Sequence, residues 1–117
     1  MIRRRIPILL LTSFLTTCSF VYAGFDLDID DDGKTEALTD GLLVIRHMFG
    51  FSGDSLTTGA VGSGANRPSA QDIETLLVAS TTELDIDGDG STQALTDGLL
   101  IIRELFGFSG DALIAGA

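Results

Sequence analysis

The sequence predicts a small all-α protein built from two tandem copies of one loop–helix unit. Residues 27–60 and 84–117 align without a gap at an offset of 57 residues, and 25 of the 34 aligned positions are identical. In each copy a polar loop that contains glycine leads into an apolar run, which is typical of a buried helix. A further helical pattern lies between the copies, so we predict a connecting helix at about residues 69–79.

Each copy opens with aspartates at every second position. The first copy has Asp28, Asp30 and Asp32 before Gly33, and the second has Asp85, Asp87 and Asp89 before Gly90. Like charges this close repel one another unless a cation lies between them. Alternate carboxylates followed by a glycine, which allows a sharp turn, are typical of an EF-hand-type calcium loop. We therefore predict one Ca²⁺ in each copy.

Three more positions complete each predicted site: a backbone carbonyl at the seventh residue, a side chain at the ninth, and a closing acid. The closing acid falls at the thirteenth position instead of the twelfth, so each loop is one residue longer than an EF-hand loop. As an alternative, Asp40 and Asp97 are also well placed in the first turn of a helix, where its dipole favours a negative charge. The predicted ligands are Asp28, Asp30, Asp32, Lys34, Glu36 and Asp40 in the first loop, and Asp85, Asp87, Asp89, Ser91, Gln93 and Asp97 in the second.

Helices are predicted at residues 40–49, 55–58, 69–79 and 97–106. Gly50 follows the first as a C-terminal glycine. Asp54 is predicted to be the N-cap of the short second helix, with metal binding as the alternative, and Ser69 to be the N-cap of the third. The linker and helix of residues 61–83 have no counterpart after the second copy. Either this segment serves both copies, or the chain is a shortened form of a longer array.

The first 23 residues have the pattern of a secretory signal peptide. Arg3, Arg4 and Arg5 precede an apolar run at residues 6–20, and Val21-Tyr22-Ala23 ends in a small-residue cleavage pattern. The apolar run of about 15 residues is short for a membrane span. Lipid anchoring at Cys18 is the alternative. We therefore expect residues 24–117 to be a single domain that is secreted or periplasmic.

The remaining 94 residues are strongly acidic. They hold all 17 acidic residues and four of the seven basic ones, which gives a formal charge of −13. Such a surface repels nucleic acid and anionic lipid. Because the single cysteine lies within the signal peptide, no disulfide can stabilise this domain. Small exported domains without disulfides commonly use a bound metal instead.

The same residues offer little for catalysis. His47 is the only histidine, and Glu104 takes its place in the second copy. No cysteine nucleophile remains after the signal peptide, and no glycine-rich phosphate loop lies between a strand and a helix. Carboxylate pairs suitable for glycoside hydrolysis are present, but metal binding explains them better. We therefore expect a protein that is not an enzyme.

The two Asp-x-Asp-x-Asp-Gly loops, each with a closing acid and an exiting helix, resemble the duplicated calcium loops of the dockerin family. The resemblance covers residues 28–49 and 85–106. It implies one calcium per loop, helices packed with approximate two-fold symmetry, and docking onto a cohesin-like partner in extracellular polysaccharide degradation. The longer loop and the 57-residue offset depart from the dockerin pattern. The alternative function is a calcium-stabilised structural spacer without such a partner. Thrombospondin type 3 repeats match less well, because they lack the apolar helix.

Overall fold

A computed structural model describes residues 25–117, and this part of the chain contains helices and no strand. The all-α prediction is therefore confirmed for these residues. The signal peptide predicted for residues 1–23, with Cys18, lies outside the described residues. The helices are α1 (Leu42–Met48), α2 (Asp54–Thr57), α3 (Ala70–Ala79), α4 (Thr81–Leu84), α5 (Leu99–Leu105) and α6 (Asp111–Ile114), and two π-helical turns, Ala37–Gly41 and Ala94–Gly98, lead directly into α1 and α5.

The π-helical turns accommodate the extra residue of each loop. The N–H of Gly41 donates to the carbonyl of Glu36 at 3.1 Å, and the N–H of Gly98 donates to that of Gln93 at 3.0 Å. Each bond spans five residues, one more than in an α-helix. The predicted first and fourth helices therefore begin at Ala37 and Ala94, three residues before the predicted positions.

The two copies pack reciprocally through the glycines of these turns. A Cβ atom at Gly41 would lie 3.1 Å from Cγ1 of Ile102, and one at Gly98 would lie 3.0 Å from Cγ1 of Ile45. Each turn also contacts the helix of the other copy. A Cβ this close to a neighbouring side chain is unusual, so glycine at these two positions favours the close approach of the two copies.

Arg46 and Arg103 hold the short helices against the long ones. Nη1 of Arg46 donates to the carbonyl oxygens of Leu56 and Thr58 at 2.9 and 2.8 Å. Arg103 makes the equivalent bonds to Leu113 and Ala115 at 2.9 and 2.8 Å. Each bond satisfies a carbonyl at the end of α2 or α6, so the hairpin of helices is the same in both copies.

Two local predictions have different outcomes. The Oγ of Ser69 accepts the N–H of Asp72 at 3.1 Å, which confirms Ser69 as the N-cap of α3. The prediction that Asp54 is the N-cap of α2 was wrong, because Asp54 is the first helical residue and the cap position belongs to Gly53, with φ of 56°. A glycine in that conformation begins the helix one residue earlier.

The one-turn helix α4 was not predicted, because the polar run before Leu84 has no apolar periodicity.

The core lies mainly in the first copy. Helix α3 contacts α1 and α2 there, and its Ile73 and Leu77 are fully buried. No helix of the described residues covers α5 and α6 in this way. None of the helices in this part of the chain is long and apolar enough to cross a bilayer. The buried apolar cluster consists of Ile29, Leu43, Val44, Leu56, Ala60, Ile73, Leu77, Leu84 and Ile101.

Candidate metal centres

Carboxylates converge in both loops. In the first, Asp28, Asp30 and Asp40 each place one carboxylate oxygen so that the three oxygens lie within 4.8 Å of one another. Ca²⁺ binds oxygen at about 2.3–2.6 Å, so ligands on opposite sides of one ion are about 5 Å apart. The second group consists of Asp85, Asp87, Asp89 and Asp97, whose carboxylate oxygens also lie within 4.8 Å of one another. Each group could therefore hold a metal ion.

The two closing aspartates also organise their loops. Asp40 is fully buried, and its oxygens accept the N–H groups of Ile29 at 2.6 Å and Glu36 at 2.8 Å. Asp97 is also fully buried and accepts those of Asp87 at 3.2 Å and Gln93 at 2.9 Å. The π-helical turn thus carries the thirteenth residue back to the start of the loop. Each closing carboxylate therefore accepts hydrogen bonds from both ends of its loop and belongs to the acidic group.

Each group contains one buried carboxylate oxygen that has no hydrogen-bond partner within the described residues. Asp30 is fully buried, and within the described residues its Oδ1 has no hydrogen-bond partner. Oδ1 of Asp85 in the second loop is also buried and has no partner in this part of the chain. Leaving a buried polar atom unsatisfied costs about 1–3 kcal/mol, and more when the group is charged. A cation bound between the carboxylates would remove that cost at both positions.

Burial makes the negative charge of the first loop unfavourable. Desolvation raises the pKa of Asp40, although its backbone hydrogen bonds oppose the shift. Desolvation also raises the pKa of Asp30, and the neighbouring carboxylates Asp40, Asp32 and Asp28 add to it. These carboxylates therefore hold their charge less readily than they would in water. A divalent cation would reverse the shift by stabilising the ionised form.

The second loop is more open, and its electrostatics differ. Desolvation raises the pKa of Asp97, but hydrogen bonds from Gln93, Asp87, Ile86 and Thr96 outweigh it, and the net shift is downward. The pKa of Asp87 is raised, first by desolvation and then by the charges of Asp89 and Asp97. A cation bound at this group would relieve the repulsion of Asp87 by Asp89 and Asp97.

The glycine at the sixth position makes the predicted turn. Gly33 and Gly90 both have φ of 88°, a conformation that residues with Cβ rarely adopt. Their N–H groups donate to Oδ2 of Asp28 and Asp85, each at 2.9 Å. The first aspartate of each loop therefore holds the turn closed. Asp31, between two predicted ligands, also has a positive φ of 57° and is exposed, as expected for a residue that is not a ligand.

Five predicted ligands lie outside the two groups. Oδ1 of Asp32 accepts the N–H of Lys34 at 2.9 Å, and its carboxylate lies beside Gly62. Lys34 and Glu36 are exposed. Ser91 and Gln93 are also exposed and bond to each other, from Nε2 to Oγ at 3.3 Å. Their roles as ligands stay predictions, those of Lys34 and Ser91 through their carbonyl oxygens.

The linker of residues 61–68 covers the first loop, which the sequence did not predict. The N–H of Gly62 donates to Oδ2 of Asp30 at 2.6 Å, and the N–H of Asn66 donates to the carbonyl of Asp31 at 2.9 Å. Arg67 bonds twice, through its N–H to the carbonyl of Asp30 at 2.9 Å and through Nη1 to that of Ile29 at 2.6 Å. The small residues of this linker do not indicate these contacts, and the one signal that could have indicated them is the basic residue Arg67.

Comparisons of the chain with protein-family models, curated proteins and solved structures found no match. The resemblance to dockerins therefore depends on the loop motifs of this sequence. The geometry of the two acidic groups is independent of that resemblance.

Proposed function

We propose that residues 24–117 form a secreted, dockerin-like module that binds two calcium ions and depends on them for its folded state. The observation that carries the proposal is Oδ1 of Asp30, a buried carboxylate oxygen that lies in a group of three carboxylates and has no partner among residues 25–117. The second group also contains such an oxygen, Oδ1 of Asp85, which has no partner among the described residues.

Calcium is the cation that fits this ligand set best. Both groups supply carboxylate oxygens alone, without histidine or cysteine, which disfavours zinc. Calcium takes six to eight oxygens in flexible geometry, so carbonyl groups and water can complete a set of three or four aspartates. Magnesium requires near-ideal octahedral geometry and gives up its waters reluctantly. An extracellular location, with about 0.1–1 mM affinity for such modules, agrees with the predicted signal peptide.

Calcium would act by linkage between binding and folding. The carboxylates of each group come together only in the folded chain, so a cation that bridges them stabilises the folded state alone. At a free calcium concentration 100 times the dissociation constant, this adds about 2.7 kcal/mol per site. The closing aspartates lie in the turns that precede α1 and α5. Calcium would therefore order the start of each long helix and, through Gly41 and Gly98, the contact between the copies.

The proposed role of the module is docking onto an extracellular protein. By the resemblance to dockerins, that partner would be cohesin-like and would belong to a polysaccharide-degrading assembly. Exposed aromatic side chains support a docking role, since such residues are enriched at interfaces. Phe49 and Phe106 at the ends of the long helices are each 54% exposed, and Phe51 and Phe108 are each 47% exposed.

Calcium titration of the purified protein tests the proposal. We expect two equivalents of bound calcium by isothermal calorimetry, and a loss of helical circular dichroism and of melting temperature in EGTA. The double variant Asp87→Ala and Asp89→Ala should bind one equivalent. Asp54→Asn, an exposed aspartate outside both groups, is the control and should bind two. Equal helicity and equal melting temperature with and without EGTA would refute the proposal.

A further inference from the structure

An apolar groove of about 440 Å³ opens on the second copy. Two acidic residues, Asp87 and Glu104, are among those that line it. The apolar lining is formed by Leu27, Ile86, Leu100, Ile101, Leu113 and Ile114. Two of these aliphatic side chains, Ile86 and Ile114, are 48% and 58% exposed, which makes the groove a candidate contact surface.

The first copy shows what such a segment is. Ile29, Leu43 and Leu56 are the counterparts of Ile86, Leu100 and Leu113, and all three are fully buried. In the second copy Ile86 is 48% exposed, and Leu100 and Leu113 are half-buried. The residues are identical at these three positions. The difference arises because the linker and helix α3 lie over the first copy alone.

The covering segment makes both apolar and polar contacts. Ile73 and Leu77, one helical turn apart, are fully buried in the cluster with Ile29, Leu43 and Leu56. Oε2 of Glu74 accepts the N–H of Gly53 at 3.0 Å. The linker adds the bond from Gly62 to Asp30 and the bond from Arg67 to Ile29, both at 2.6 Å.

The second copy keeps every group that receives these contacts. Gly110, Asp87 and Ile86 stand where Gly53, Asp30 and Ile29 stand in the first copy. Gly110 even repeats the backbone conformation of Gly53, with φ of 60° against 56°. The groove therefore presents the same contact groups as the covered surface of the first copy. Its charge is also suited to a basic side chain, since the carbonyl of Ile86 lies between Asp85 and Asp87.

We propose that this groove binds a partner segment, a loop followed by a helix, whose chemistry matches that of residues 61–79. The segment would carry two aliphatic residues four positions apart on an amphipathic helix, with an acid one position after the first to accept the N–H of Gly110. A loop before the helix would supply an arginine and a glycine N–H. This is recognition of a helix in a groove. A second copy of the chain does not fit, because its own residues 61–79 already cover its first copy.

A synthetic peptide of residues 61–80 is the probe. We expect saturable binding to the calcium-saturated protein by fluorescence anisotropy, with NMR shift changes at Ile86, Leu100 and Leu113. We do not expect the peptide to displace residues 61–79 from the first copy, because the chain holds that segment there at an effective concentration in the mM range. No saturation up to about 1 mM peptide would overturn the proposal.

Matched variants locate the binding site. Ile114→Asp, at a position 58% exposed in the groove, should weaken peptide binding about tenfold or more. Val78→Asp, at a position 63% exposed on α3, should leave it unchanged. A peptide with Ile73→Asp should not bind. Shift changes confined to the first copy, or self-association of the protein that Ile114→Asp abolishes, would contradict the assignment.

The groove and the calcium sites can fail separately. The inference concerns a surface different from the calcium loops, although the second loop borders it through Asp87. Calcium stoichiometry measured on the same samples separates the two. If the protein binds two calcium ions but not the peptide, only the groove proposal is refuted. If the protein binds the peptide but takes up no calcium, only the calcium proposal is refuted.

Discussion

The substitution Asp40→Asn separates two roles of one residue. Asp40 accepts hydrogen bonds from the loop backbone, and we propose that it also binds calcium. Its two oxygens receive the N–H of Ile29 at 2.6 Å and the N–H of Glu36 at 2.8 Å, and the hydroxyl of Thr39 donates to it at 3.2 Å. Asparagine has nearly the same shape but keeps only one acceptor oxygen and no charge.

The expected loss of stability follows from these bonds. In Asp40→Asn one buried N–H faces an amide NH₂ and loses its acceptor, which costs about 1–3 kcal/mol. In Asp40→Ala the N–H groups of Ile29, Asp30 and Glu36 all lose their acceptor, at a cost of about 1–3 kcal/mol each. Total stabilities of small domains are about 5–15 kcal/mol. We therefore expect Asp40→Asn to fold in the presence of calcium and Asp40→Ala to be severely destabilised.

Calcium binding gives the second readout. Asp40→Asn removes a negative charge from the first group, so we expect calorimetry to show one calcium equivalent instead of two. Calcium should then raise the melting temperature of the variant less than that of the wild type. Asp97→Asn is the matched control, and it should remove the second site and leave the first.

One outcome would refute the reasoning about the closing residue. If Asp40→Asn lowers the melting temperature equally in calcium and in EGTA, and still binds two calcium ions, then Asp40 is only a backbone acceptor. The ligand assignment for the thirteenth position would then be wrong in both loops.

Two further changes test the segment over the first copy. Gly62→Ala places a methyl group against the carboxylate of Asp32. We therefore expect urea unfolding to show about 1–3 kcal/mol of destabilisation, and calcium to bind more weakly at the first site only. Equal weakening of calcium binding at both sites would contradict this. Burial lowers the pKa of His47, which the charge of Glu74 partly opposes. The unfolded state therefore takes up this proton first, and stability should fall as pH drops from about 7.5 to about 5.5. His47→Gln should lose less over that range, and parallel melting curves would refute the role of His47.

Much of the candidate site could be predicted because its parts are close in the chain. The carboxylates of each group come from a loop of 13 residues, so their spacing and the two glycines largely determine how they converge. The all-α class followed from apolar runs in the same way. The Asp54 error is of a different kind, since Ser-Gly-Asp-Ser allows two helix starts one residue apart. The π-helical turn was also missed, because the extra residue could have formed a bulge in the loop as easily as a wider helical turn.

By itself the sequence determined two almost identical units, each with an acidic loop, a turn and an apolar helix. Only the tertiary structure decided that these units are not equivalent. Ile29 is fully buried and the identical Ile86 is 48% exposed, because residues 61–79 lie over one copy. Backbone conformation depends on neighbours a few residues away, which the repeat conserves. Burial depends on which distant segment lies above a surface, and the bond from Gly62 to Asp30 spans 32 residues that no local pattern connects.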